Sequence, residues 1–211
     1  MRAIPVASFA VTLLSGLILM GCGSTPNPQA PAASAPVAKK GPMLFTGKNC
    51  LSQTAGAAVR WQPDATPVHL ESELNAESTG QDGKSTVWRA MYISPGRGTW
   101  RSFACSGSRL NDEPGTGVTG SPESHTSPEM SQAVFQSLLL MVDSDKAFEI
   151  AQKNGGEKLL QKNPQQPVLY ALDWDHKSKQ LVWAVMYGTS QSDSKGIGII
   201  DATSGKFLRA R

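Results

Sequence analysis

The sequence predicts an α+β fold: two copies of a helix packed on an antiparallel three-stranded sheet, after a disordered N-terminal tether. Three landmarks predict it. "VWRAMY" at 87–92 and "VWAVMY" at 182–187 share four of six residues, in a chain with only 5 Trp and 3 Tyr. A Pro-Val pair precedes each, at 67–68 and 167–168, and "SGSRL" (106–110) and "TSGKFL" (203–208) follow them. Three landmarks in one order indicate an internal duplication. The first copy's extra residues before its Trp fall in the polar loop "AESTGQDGKST" (76–86).

The elements follow in chain order. Arg2 precedes an apolar run from Val6 to Met20, which Ser8, Thr12 and Ser15 interrupt, and "LMGC" closes it at Leu19–Cys22. A membrane span is longer and has a basic flank, so this stretch reads as a signal segment. It resembles a bacterial lipoprotein signal peptide, in which Leu, a tolerant position, a small residue and Cys form the recognition box. The resemblance implies that residues 1–21 are removed and that Cys22 becomes the acylated first residue. Each buried CH₂ of such an anchor contributes about 0.8 kcal/mol, so several acyl chains hold permanently. In that family Asp after the Cys favours the inner membrane. Gly23 stands here, which implies the outer membrane, with the domain facing the periplasm.

Residues 22–42, rich in Pro, Ala and Ser, hold too few large apolar side chains to offset their ordering entropy and read as a tether. The first repeat spans 43–110, a linker and connecting segment 111–142, and the second repeat 143–211. Each repeat opens with a helix: "LSQTAGAAVRW" in the first and "DSDKAFEIAQKNGG" in the second, with Asp143 or Ser144 as N-cap and Gly155 as stop. Three hairpin-joined strands follow. In the first strands, Val68, Leu70 and Leu74 alternate with His69, Glu71 and Asn75, and Val168, Tyr170, Leu172 and Trp174 take the matching phase. The second strands place Trp88, Ala90 and Tyr92, and Trp183, Val185 and Tyr187, on the face that packs on the helix. "TWRSFACS" and "IGIID" form the third strands. "MSQAVFQSLLLMV" (130–142) fits a helix or a buried strand equally well.

In the second repeat the helix, the "LVWAVMY" strand and the turn containing Asp201, Ala202 and Gly205 resemble a PepSY-type domain. The first repeat matches it weakly, with "CSGS" in place of the Asp-Ala turn. The resemblance implies binding or restraint of a partner, such as a peptidase or another envelope protein, rather than catalysis.

The residues themselves suggest no chemistry. His69, His125 and His176 lack a second His at metal spacing, so neither a metal nor another cofactor is expected. Gly80 and Gly83 in "GQDGKST" have two residues between them rather than the four of a phosphate loop, and the stretch reads as a hairpin loop. No Ser sits in a G-x-S-x-G elbow, so the chain reads as a non-enzyme. The net charge of +3 comes from Arg2, Lys39 and Lys40; without them 17 basic residues face 17 acidic ones, which argues against a nucleic-acid partner. Cys50 and Cys105 form either a disulfide stapling helix to sheet or two separate buried thiols. If Ile93 pairs with Thr99, the face opposite the aromatic stripe carries Arg89, Met91, Arg101 and Phe103. That set suits partner binding; the alternatives are an ordinary solvated face or the surface where the copies pack. A structural or assembly role at the outer membrane is the other function consistent with these features.

Overall fold

The computed structural model describes residues 41–211, which belong to a single compact unit. The signal peptide, Cys22 and all but the last two tether residues lie outside the described residues. The chain runs β1 (Phe45–Thr46), α1 (Gly47–Trp61), β2 (Thr66–Glu73), β3 (Lys84–Ser85), β4 (Val87–Ser94), β5 (Thr99–Ser106), β6 (Gly117–Gly120) and β7 (Ser124–His125). It continues with α2 (Pro128–Gln132), a 3-10 turn (Ser137–Leu139), α3 (Ser144–Ala151), a π-helical turn (Gln152–Gly156), α4 (Glu157–Lys162), β8 (Val168–Asp175), β9 (Gln180–Tyr187), β10 (Ile197–Asp201) and β11 (Phe207–Ala210).

The two expected three-stranded sheets are parts of one. Its order is β11-β10-β9-β8-β2-β4-β5-β6, with β7 also on β5, and every pairing is antiparallel. A three-stranded meander leaves its first strand with a row of free N–H and C=O groups. Here the two first strands satisfy each other, pairing His69 with Asp173, Leu70 with Leu172 and Glu71 with Ala171. The stretch expected as a linker supplies β6 and β7 to the outer edge of β5. Residues 130–142 are neither one helix nor a strand: α2 ends at Gln132 and the 3-10 turn follows. The "GQDGKST" loop carries β3, which pairs with β1.

Helix α1 begins at Thr46, whose hydroxyl accepts from Asn49 N–H, and buries Cys50, Leu51, Thr54 and Ala58 on one stripe. Helix α3 is capped by Asp143 and buries Ala147 and Ala151. Gly155 does not stop it. At φ +114° this residue kinks the chain, and α4 resumes beyond. The core lies between these helices and one sheet face, where Trp88, Tyr92, Tyr170, Leu172, Trp183 and Ile200 are buried. Cys50 and Cys105 are joined by a disulfide with Cα atoms 5.6 Å apart, tying α1 to β5.

The β4–β5 register departs from expectation by one residue. Ser94, not Ile93, opposes Thr99, so Phe103 faces Ala90 and Arg101 faces Tyr92. Glycine at φ +64° in position 98 completes a turn one residue shorter than the sequence suggested. A one-residue slip moves every side chain to the other face. Phe103 is therefore buried with the aromatic stripe, tilted edge-on to Tyr92 at 5.9 Å, instead of exposed.

Candidate binding cleft

The sheet face opposite the helices has an apolar centre. The strand alternation that sends Tyr170, Trp183 and Val185 inward sends Leu169, Ala171, Val182, Ala184, Met186 and Ile199 outward. These six form the floor of a cleft of about 470 Å³, overhung by Thr189–Gln191 from the β9–β10 loop. Charged groups frame it. Arg209 on β11 reaches back over the sheet to Asp175 on β8, at 3.0 Å, closing one end, and Arg211 stands exposed beside it. That bond holds the Asp175 carboxyl down at about 2.

On the opposite side lies a cluster built where β2 meets β8. His69 Nδ1 is 2.6 Å from Asp173 Oδ1, and its Nε2 is 3.4 Å from Glu71 Oε2. Burial disfavours the imidazolium, but the hydrogen bonds to Asp173 and Glu71 outweigh it and raise His69 to about 10. Glu71 is lowered in return, chiefly by its bond to His69. Arg89 continues the row by pairing with Glu73. The cleft thus offers an apolar floor between an acidic border compensated by one imidazolium and a border holding two guanidinium groups. It can take an apolar side chain and align charges on either side of it.

Of the expected partner-binding residues, Arg89 and Met91 lie on this open face, next to the cleft, with Met91 opposite His69 across the strand pair. Arg101 and Phe103 do not join them. Arg101 lies over the Phe103 ring, 5.4 Å from Cζ to centroid, and its Nε donates to Ser121 O, all on the helix face. His125 lies on β7 at the far edge, and His176 is exposed in the β8–β9 turn. Among the described residues, no three His, Cys, Asp or Glu side chains are placed to hold a metal ion, and no helix is long and apolar enough to cross a membrane.

In "VWAVMY" the alternation that turns Trp183, Val185 and Tyr187 inward leaves Val182, Ala184 and Met186 as an apolar outer row, but nothing in the sequence marks the frame around it. The His69–Asp173 pair depends on which strands are neighbours in a nine-stranded sheet. Arg209 needed β11, and "FLRA" is too short to reveal itself by alternation.

No protein-family model matches the chain, and no curated protein matches its sequence. Among solved structures, it is similar to a candidate lipoprotein, CD1622, of Clostridium difficile 630. The TM-score is 0.51 at 13% identity, over 77% of this chain and 91% of that one. At that identity the likeness is one of fold: a mixed α/β domain with a large antiparallel sheet and a few helices.

Proposed function

We propose that the protein is a lipid-anchored envelope protein with a non-catalytic binding role, which engages another envelope protein or a peptidase through the open-face cleft. The observation that carries the reading is the apolar floor of Val182, Ala184, Met186 and Ile199, framed by charges on a face that no element among the described residues covers with a core. Three further features support it. "LMGC" at Leu19–Cys22 is the motif of an acylated Cys, and a fold of this kind occurs in a protein described as a lipoprotein. A Cys50–Cys105 disulfide suits an oxidising compartment outside the cytosol. Gly23 favours the outer membrane.

The internal duplication is part of this reading. Each half runs helix then three-stranded meander, and the halves meet through their first strands. The PepSY-like character of the second half rests on its closing turn. Asp201 Oδ1 accepts from Thr203 and Ser204 N–H, both at 2.8 Å, and Gly205 follows at φ +75°. In the first half the chain bends away at Gly107 without such an Asp, so the two have diverged there.

Two measurements test the reading. Metabolic labelling with palmitate should mark the wild-type chain and leave Cys22→Ala unmarked; label on the variant would contradict the anchor. Partner capture on the full chain should be lost with Ala184→Arg, which fills the cleft floor, at unchanged thermal stability. Identical capture by both forms would contradict the cleft.

A further inference from the structure

Five large apolar side chains stand exposed among the described residues: Met43, Leu44, Val59, Leu138 and Met141. Four of them come just before a helix, Met43 and Leu44 ahead of α1, and Leu138 and Met141 ahead of α3. The two helix starts are bonded to each other. Gly47 N–H donates to Ser144 Oγ and Lys48 N–H to Asp143 Oδ1, each at 2.8 Å. The four side chains therefore belong to two segments that converge at one junction of the helix layer, on the side of the sheet opposite the cleft.

The strongest pair is displayed on a firm frame. Met141 and Val142 N–H both donate to Ala202 O, at 3.0 and 2.8 Å, and Thr203 Oγ1 donates to Leu139 O at 2.8 Å. Leu140 is buried between them at 1% exposure, whereas Leu138 and Met141 are held outward at 71% and 64%. A groove of about 230 Å³ separates this turn from α1, lined by Leu51, Ala55 and Leu140, with Lys48 exposed along it. Large apolar side chains fixed outward beside an apolar groove mark a contact surface rather than a frayed loop.

We infer that this surface rests on the lipid bilayer, with Leu138 and Met141 at the acyl boundary and Lys48 level with the headgroup phosphates. The course of the chain argues for a bilayer over a protein. The segment between Cys22 and the domain enters at Met43–Leu44, which are themselves half of the exposed set. Even fully extended at about 3.1 Å per residue, twenty residues between Cys22 and Met43 reach no further than roughly 62 Å, so acylation at Cys22 would tie this entry point to the neighbourhood of the bilayer. Once the anchor holds the chain, the patch needs only weak affinity of its own, because its insertion is intramolecular. Lys39 and Lys40 shortly precede Met43 in the sequence, and anionic headgroups attract such basic residues. In this orientation the helix layer lies on the membrane and the cleft opens to the aqueous side. The inference rests on the anchor of the proposed function and is independent of the cleft.

The test uses the full-length acylated chain on vesicles of phosphatidylethanolamine and phosphatidylglycerol, with a nitroxide on Leu138→Cys or on Gln191→Cys at the cleft rim. With Cys22 acylated and Cys50 bridged to Cys105, the introduced thiol is the labelling site. The label at 138 should lose accessibility to an aqueous nickel chelate and gain it to oxygen, while the label at 191 stays aqueous. Adding Leu44→Ser and Met141→Ser should return the label at 138 to water with the chain still vesicle-bound. Equal aqueous exposure at 138 and 191 would overturn the inference. So would shielding of 138 from both reagents in detergent without vesicles, because a second copy would then be the occupant. Absence of the acyl mass on Cys22 would overturn the anchor and this orientation together while leaving the cleft intact.

Discussion

Trp88 and Trp183 make the same hydrogen bond in the two halves of the sheet: each indole N–H donates to the carbonyl of the residue just before a helix N-cap. The acceptors are Phe45 O at 2.9 Å and Val142 O at 2.8 Å. The two rings also meet edge-on, with centroids 6.1 Å apart. Each Trp thus fixes where its own helix starts, and their contact sets one half against the other. Tyr92 and Tyr187 repeat the theme about two turns beyond each N-cap, meeting Thr54 at 3.0 Å and Gln152 at 2.7 Å.

Gly47 is the position where the two indoles leave no room. A Cβ there would lie 2.5 Å from the Trp183 ring and 3.1 Å from that of Trp88. Gly47→Ala should therefore destabilise by about 1–3 kcal/mol through overpacking, although alanine is the better helix former. Gly56→Ala, on the same helix with only the flexible Arg60 side chain nearby, should be neutral or stabilising. Urea unfolding of both variants checks the contrast.

Phe103 is a core residue, buried against Tyr92 and Trp61. Phe103→Ala should cost about 3–5 kcal/mol, the range for truncating a buried aromatic. Arg89→Ala removes a half-exposed ion pair with Glu73 and should change stability by less than about 1 kcal/mol. Chemical denaturation of the two single variants distinguishes this register from one that exposes both side chains.

Reducing the Cys50–Cys105 bond should lower stability by about 2–4 kcal/mol, because the bridge closes a loop of 55 residues in the unfolded chain. The loss appears as a lower unfolding midpoint in reductant. Cys50→Ala/Cys105→Ala should reproduce it without reductant.

Two groups set opposite pH dependences. The His69 pKa is raised from 6.5 to about 10, so its contribution is complete below pH 6.5 and is lost as pH rises towards 10. Asp175 is depressed from 3.8 to about 2, so its contribution is complete above pH 3.8 and is lost as pH falls towards 2. His69→Gln should flatten the alkaline limb of the stability profile and also soften the acid limb, because Glu71 is held low chiefly by its bond to His69. Asp175→Asn should soften the acid limb alone. Unfolding midpoints across the pH range give both limbs.

Much of this architecture was legible in the chain because local patterns carried it. The alternation around Trp88 and Trp183 marked the core face, and the cap at Asp143 or Ser144 marked a helix start, which Asp143 makes. What escaped depends on non-local pairing. No property of "VHLES" or "LYALD" shows that β2 and β8 share an edge, although that pairing makes one sheet and assembles His69, Glu71 and Asp173. The misplaced Phe103 came from a turn whose length differs by one residue, the smallest error that inverts a face. The cleft was half visible, as an apolar outer strand, and its guanidinium border was not.

The most direct test of the cleft is site-specific photo-cross-linking of the full-length chain in its own envelope. The cross-linker replaces Ala184 on the cleft floor or, as comparison, Thr119 on β6 at the far end of the sheet. A discrete protein adduct from position 184, absent from 119 and abolished by Arg209→Glu, is the result this account predicts. The same adducts from both positions, or none from 184 in a folded, envelope-located chain, would contradict it.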